Sequence, residues 1–243
     1  MIEKYKNIFD IEKYKRDVGY SSNIHNVSFF HKNIDLKDKK ILILDFEFSK
    51  NNYIYEFGGI IIENKKITKL IFEEFSIPKN EQVWGFKENR YIYNNYLNKN
   101  KPLFKKENIE KLFNEVDYIV VHNYVAEAQC LYKLFNGFDT KYDFQKCKFK
   151  DKIICTNYSF NNQYFKNLKD ELKMESFSNE KVFKHFNWNI EIDKDTFLLQ
   201  QNNNIILKIK SPNEKVNANV HNAFYDCIIT LANLISLSQI KNK

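Results

Sequence analysis

The 243-residue chain contains no apolar stretch of about 18 or more residues, so no segment is built to cross a bilayer as a helix. Its N-terminus lacks the succession of basic, apolar and small residues that marks a secretory signal. Its four cysteines, Cys130, Cys147, Cys155 and Cys227, show no C-x-x-C spacing, which argues against a structural zinc site. Cys130, Cys155 and Cys227 fall inside apolar patterns and read as small buried hydrophobes. These absences lead to the expectation of a soluble cytoplasmic protein in a reducing compartment, with no membrane partner.

What the chain does have is positive charge. Lys and Arg number 38 against 31 Asp and Glu, a net charge of +7. An excess of that sign favours a polyanionic partner. An AT-rich gene, which would also raise Asn, Ile, Tyr and Phe, explains the lysines equally well. The length suits one large domain with enough chain to bury a core.

Three short segments carry acidic residues in a fixed order: Ile41 to Phe48, Ile119 to Leu131, and Val220 to Cys227. Ile41 to Leu44 is a continuous apolar run, the pattern of a strand buried on both faces. Asp45 and Glu47 then fall at i and i+2 near its end, so both side chains point to one side of the sheet. Glu127 lies in the first turn of a helix expected from about Val125, where the dipole favours an anion. Asp226 lies near the start of a last helix running from about Asn222 to Gln239. His221, five residues before Asp226, is roughly 140° away around an ideal helix, which puts it on the preceding loop or first turn. Four carboxylates and a histidine in a basic protein suit two hard divalent cations, Mg²⁺ or Mn²⁺, acting on a phosphodiester. A neutral histidine beside them can accept the proton of an attacking water.

Asp45-Phe46-Glu47, then Tyr55-Glu56-Phe57-Gly58-Gly59-Ile60, His122-Asn123 with Glu127, Ile153 to Thr156, Ser178 to Trp188, and His221-Asn222-Ala223-Phe224-Tyr225-Asp226 together resemble the DnaQ-like 3′→5′ exonucleases of the DEDDh branch. The resemblance spans about Lys40 to Leu237. It implies an α/β, RNase H-like fold with a mixed central sheet of about five strands flanked by helices. It also implies Asp45, Glu47, Glu127 and Asp226 as ligands of two metal ions, with His221 as the base. Phe46 and Phe48 are implied as the place where the terminal nucleotide of a single-stranded DNA or RNA 3′ end lies, stacked or wedged by their rings or backbone. His122 is read as a support for its strand end, and His185 as a packed helix residue.

The chain departs from the family pattern at one ligand. Glu127 stands where Asp is usual, and Ala126 replaces an aromatic. The extra methylene places the carboxylate roughly 1.5 Å further out unless the backbone retreats. Two outcomes follow: an adjusted active enzyme, or a catalytically lapsed nucleic-acid-binding or assembly module using the same groove.

Around these segments, three strands are expected as a meander: Ile41 to Phe48, Tyr53 to Glu63, and Ile67 to Ile77, with turns at Asn51-Asn52 and Asn64-Lys65-Lys66. Ile109, Leu112, Phe113 and Val116 mark a helix leading into a strand at Tyr118 to Val121. Residues 1–39 read as a helical leader, 40–243 as the exonuclease-like domain, and about 191–219 as an inserted hairpin around Gln200 to Asn204. The leader and the hairpin are candidate surfaces for a protein partner or a homodimer. Trp84, Phe86, Tyr91, Tyr93 and Tyr96, interleaved with Lys87, Arg90 and Lys99, read either as loop anchors or as base-stacking contacts.

Overall fold

The computed structural model describes residues 14–16, 32–34, 38–79, 81, 101–143, 146–159, 178–212 and 222–239. Its centre is a five-stranded mixed sheet built from β3 (Ile41–Phe48), β4 (Ile54–Glu63), β5 (Lys66–Glu74), β6 (Tyr118–Val121) and β7 (Ile153–Cys155), in the order β5-β4-β3-β6-β7. β3, β4 and β5 run antiparallel, whereas β6 pairs parallel with β3 and β7 parallel with β6. With the helices on its two faces this is the α/β arrangement, a mixed five-stranded sheet flanked by helices, expected from the sequence. The meander is closed by the predicted turns. Asn52 and the pair Asn64 and Lys65 take positive φ, the geometry that tight hairpin turns require.

β3, β4 and β6 are central because both their faces are covered. Leu42, Leu44 and Phe46 of β3 join Phe57, Ile61 and Val121 against helices α1 (Lys106–Glu115) and α2 (Tyr124–Asn136). Ile41, Ile43, Ile60 and Val120 face the other way, toward the long helix α5 (Ala223–Gln239). Leu42, Ile43 and Leu44 are fully buried, and each contributes about 1.5–3 kcal/mol of burial. Between β7 and α5 the described chain has a short turn, α3 (Thr156–Ser159), and a two-turn helix, α4 (Asn179–His185).

A second sheet differs from the sequence expectation. The segment Ser178 to Trp188, for which the resemblance implies a helix, is helical only as far as His185, because Asn187 takes φ +56°, a left-handed residue that ends helices. Trp188 then opens β8 (Trp188–Asp193), which pairs with β9 (Thr196–Gln201), and β9 with β10 (Asn204–Lys210). The expected hairpin therefore supplies two of the three strands of an antiparallel sheet. Its two-residue loop is Asn202-Asn203, both at positive φ. Trp188 ties this sheet to α5, its indole N–H donating to Ser236 Oγ at 2.7 Å in a buried contact.

Of the leader, two three-residue strands are described, β1 (Tyr14–Arg16) and β2 (Lys32–Ile34), paired antiparallel. The helical pattern at residues 2–9 and the aromatic cluster from Trp84 to Tyr96 lie outside the described residues. No helix of the described residues is long and apolar enough to cross a membrane.

Candidate metal centre

Along β3 the row Ile41, Ile43 continues as Asp45 and Glu47, so an apolar face ends in two carboxylates at the foot of α5. Asp226 enters from the first turn of that helix. One carboxylate oxygen from each of Asp45, Glu47 and Asp226 lies within 4.8 Å of the others, and all three residues are half-buried.

Two residues of β4 bring α5 this close. Gly58 pairs with Asp45 across the sheet. A Cβ at Gly58 would stand 2.2 Å from the carbonyl oxygen of Ala223 and 2.5 Å from the Phe224 nitrogen, so the helix backbone occupies the space that a side chain would need. Glu56, two residues earlier and therefore on the same face, is buried and accepts the Ala223 N–H at 3.2 Å and the Asn222 amide at 3.4 Å. Asn222 Oδ1 accepts the Tyr225 N–H at 3.1 Å. The helix is thus capped by its own Asn222 and by a carboxylate from the sheet, which also meets the positive end of the helix dipole. The sequence reading used Glu56 only to recognise a strand. Its i, i+2 spacing to Gly58 was the available signal for this capping role.

Glu127 comes from the other layer. It sits in the first turn of α2, is 3 % exposed, and its Oε2 makes no hydrogen bond. It lies near enough to act electrostatically on Asp45 and Glu47.

These acids carry an unresolved repulsion. Burial, followed by Asp226, Glu127, Glu47 and Glu56, holds the Asp45 carboxyl well above the usual carboxylate range. Burial and the same neighbours raise Glu47, opposed by a hydrogen bond from the Tyr55 hydroxyl. Glu127 is pushed up to about 8, first by burial; a backbone hydrogen bond opposes this and Asp226 adds to it. Among the described residues, the charged groups that act most strongly on Asp45 and Glu47 are all carboxylates. A buried charge is stable only when it is paired or bound to a metal, and an all-oxygen donor set suits a hard divalent cation. The residues therefore fit such an ion, with Asp45, Glu47 and Asp226 as its nearest donors and Glu127, on the other layer, within electrostatic reach of them.

The other sequence candidates divide. His122 is buried, its Nδ1 2.8 Å from Thr156 Oγ1, whose hydroxyl also lies 3.4 Å from the Val121 carbonyl; it joins the ends of β6 and β7, the support role expected of it. His185 packs edge-on to Phe186. The Phe46 ring is 3 % exposed and sits tilted against Phe57 and edge to face with Phe104 on the face away from Asp45, so it is a core residue and the ring cannot stack on a nucleotide there. Phe48, at the strand end, is only partly buried. His221 lies outside the described residues; its neighbour Asn222 is fixed at the foot of α5.

No family model matches the chain, and no curated protein sequence matches it. Solved structures do resemble it. Among them is exonuclease X in complex with 5′-overhanging duplex DNA, at 16 % identity and a TM-score of 0.46, covering 82 % of this chain and 91 % of that one. A likeness of that size carries no argument about chemistry, which rests on the acids themselves.

Proposed function

We propose that this protein is a metal-dependent 3′→5′ exonuclease acting on single-stranded DNA or RNA 3′ ends and releasing nucleoside 5′-monophosphates. The observation that carries the reading is the convergence of Asp45, Glu47 and Asp226 oxygens within 4.8 Å, together with a buried, partnerless Glu127 oxygen. Two Mg²⁺ or Mn²⁺ ions bound there would supply Lewis acidity at the phosphodiester. Asp45, Glu47 and Asp226 hold that charge from the β3 and α5 side, and Glu127 from α2. His221, tethered one residue before the cap of α5, takes the proton of the attacking water. The terminal nucleotide lies across the end of β3, against Phe48 and the Phe46 backbone.

The test is digestion of end-labelled single-stranded DNA and RNA, with and without Mn²⁺, by the wild type and by Asp45→Ala and His221→Ala. Stepwise release of mononucleotides by the wild type alone, with the circular dichroism of both variants unchanged, supports the reading. Undiminished release by either variant ends it.

One observation favours a second reading, a lapsed nucleic-acid-binding module. Glu127 is not among the oxygens that share the 4.8 Å cluster. Mn²⁺ stoichiometry separates the two, because an active site takes two ions and a lapsed one at most one.

A further inference from the structure

The pairing of β3 with β4 contains an irregularity at the site itself. Glu47 stands opposite Glu56, but the next residue, Phe48, stands opposite Ile54 rather than Tyr55. Two residues of β4, Ile54 and Tyr55, therefore share one partner, the arrangement of a β-bulge, which re-aims side chains beside functional sites. The faces confirm the change of phase. Phe57 and Ile54 both pack toward α1 and α2, although residues three apart on a regular strand point to opposite sides. The extra residue is Tyr55, which is buried, and its hydroxyl reaches Glu47.

We propose that Tyr55 is a positioning residue whose hydroxyl holds the Glu47 carboxylate in the orientation that the cation site needs. The inference rests on reading the acid cluster as a divalent-cation site. The need is physical. A glutamate side chain has three rotatable bonds, and Glu47 faces Asp226, Glu56 and Glu127, all of the same charge. Without a donor its carboxylate is repelled away from the place where a metal would bind. A phenol is a suitable donor here because an ordinary tyrosine hydroxyl, with a pKa of about 10, keeps its proton at neutral pH. Partners that orient a ligand in this way are typically worth about 10–100-fold in metal affinity.

The discriminating variant is Tyr55→Phe, which keeps the buried ring and deletes only the donor. Mn²⁺ binding is followed by electron paramagnetic resonance of the free ion, the melting of the metal-free protein by circular dichroism, and mononucleotide release as a function of Mn²⁺ concentration. The expected result is a Kd for Mn²⁺ raised about 10-fold or more, a matching rise in the Mn²⁺ concentration for half-maximal activity, and kcat recovered at saturating metal, with the melting curve of a folded protein. A purely packing role would lower the melting temperature without moving the Kd, and that outcome overturns the proposal, as does a Kd within about twofold of wild type. If the wild type binds Mn²⁺ and Tyr55→Phe binds it equally well, this inference alone fails. If the wild type binds none, the cation site fails with it.

Discussion

Asp226 and Glu127 each stand in the first turn of a helix, yet they reach the acids of β3 by different routes. Asp226 is delivered by the sheet: Glu56 caps α5, Gly58 admits its backbone, and the aspartate arrives beside Asp45 and Glu47 on a short side chain. Glu127 belongs to α2, whose Ala128 and Leu131 pack on the opposite face of the sheet. From that layer the acids of β3 are the longer reach for a side chain, and the additional methylene of Glu would supply it. The chain thus offers one acid locked into the three-oxygen cluster and one buried outside it with an oxygen that makes no hydrogen bond. The unusual residue at position 127 belongs to a layer further from the site, which a one-residue alignment of motifs does not reveal.

The largest effect should come from the locked side. Asp226→Ala and Asp45→Ala each delete a member of the three-oxygen cluster, and mononucleotide release should fall by at least about 10³-fold, the scale on which preorganised charge stabilisation is lost. Both variants should stay folded, because each also removes one source of repulsion from the group. Residual activity above a tenth of wild type, assayed at saturating Mn²⁺, would place the chemistry elsewhere.

Gly58→Ala comes next and tests delivery rather than ligation. Its Cβ would meet the Ala223 carbonyl, a backbone atom that cannot swing aside, so the first turn of α5 has to move. A displacement of about 1 Å at a catalytic group can cost about 100-fold, and overpacking a filled interior costs about 1–3 kcal/mol. Activity and melting temperature should therefore fall together. An unchanged kcat in this variant would mean that Asp226 does not need its present seat.

The features legible in the sequence were those that depend on a single element. Period-two alternation alone places Asp45 and Glu47 on one side of β3. The same rule places Phe46 on the other side, so the signal that its ring lies in the core was present in the pattern that paired the acids. Asparagine-rich turns at 52, 64 and 202–203 were readable because positive φ has few tolerant residues. What could not be read depends on how two elements meet. The bulge opposite Phe48 exists only in the register between β3 and β4, and nothing in the composition of either strand announces it. Glu56 acts through a helix 167 positions away. β8 is hard to read for a local reason: Trp188, Ile190 and Ile192 alternate as a strand should, but the apolar run before them suits a helix, and the stop at Asn187 shows only in its left-handed φ.

Glu127→Asp sharpens the comparison at the other acid. If Glu is there for reach, shortening it withdraws the carboxylate, and activity should drop by roughly 10- to 100-fold while Mn²⁺ binding at the three-oxygen cluster persists. If the α2 backbone can approach, Asp will restore the motif that the resemblance expects and activity will rise. A gain in kcat would therefore overturn the reach argument, and the stoichiometry of bound Mn²⁺ would show whether a second ion had entered.

The smallest effect should be one of stability in the metal-free protein, and its sign follows from Glu127. Its folded pKa of about 8 lies above the ordinary value of 4.5. Between those pH values the folded protein retains a proton that the unfolded chain has released, so stability falls as pH rises through that window and levels off above about pH 8. Glu127→Gln keeps the shape and removes the ionisation. With metal chelated, its melting temperature should depend less on pH than that of wild type. The two should agree near pH 4.5 and differ most near pH 8, by roughly 2–4 °C for each kcal/mol of difference. Asp45 and Glu47, raised by the same burial, will leave part of the slope in place. Added Mn²⁺ should stabilise the wild type more than the variant, because only the wild type has this carboxylate to offer. Parallel pH profiles for the two proteins would show that Glu127 is not the strained acid its burial makes it, and the contrast with Asp226 would then rest on position alone.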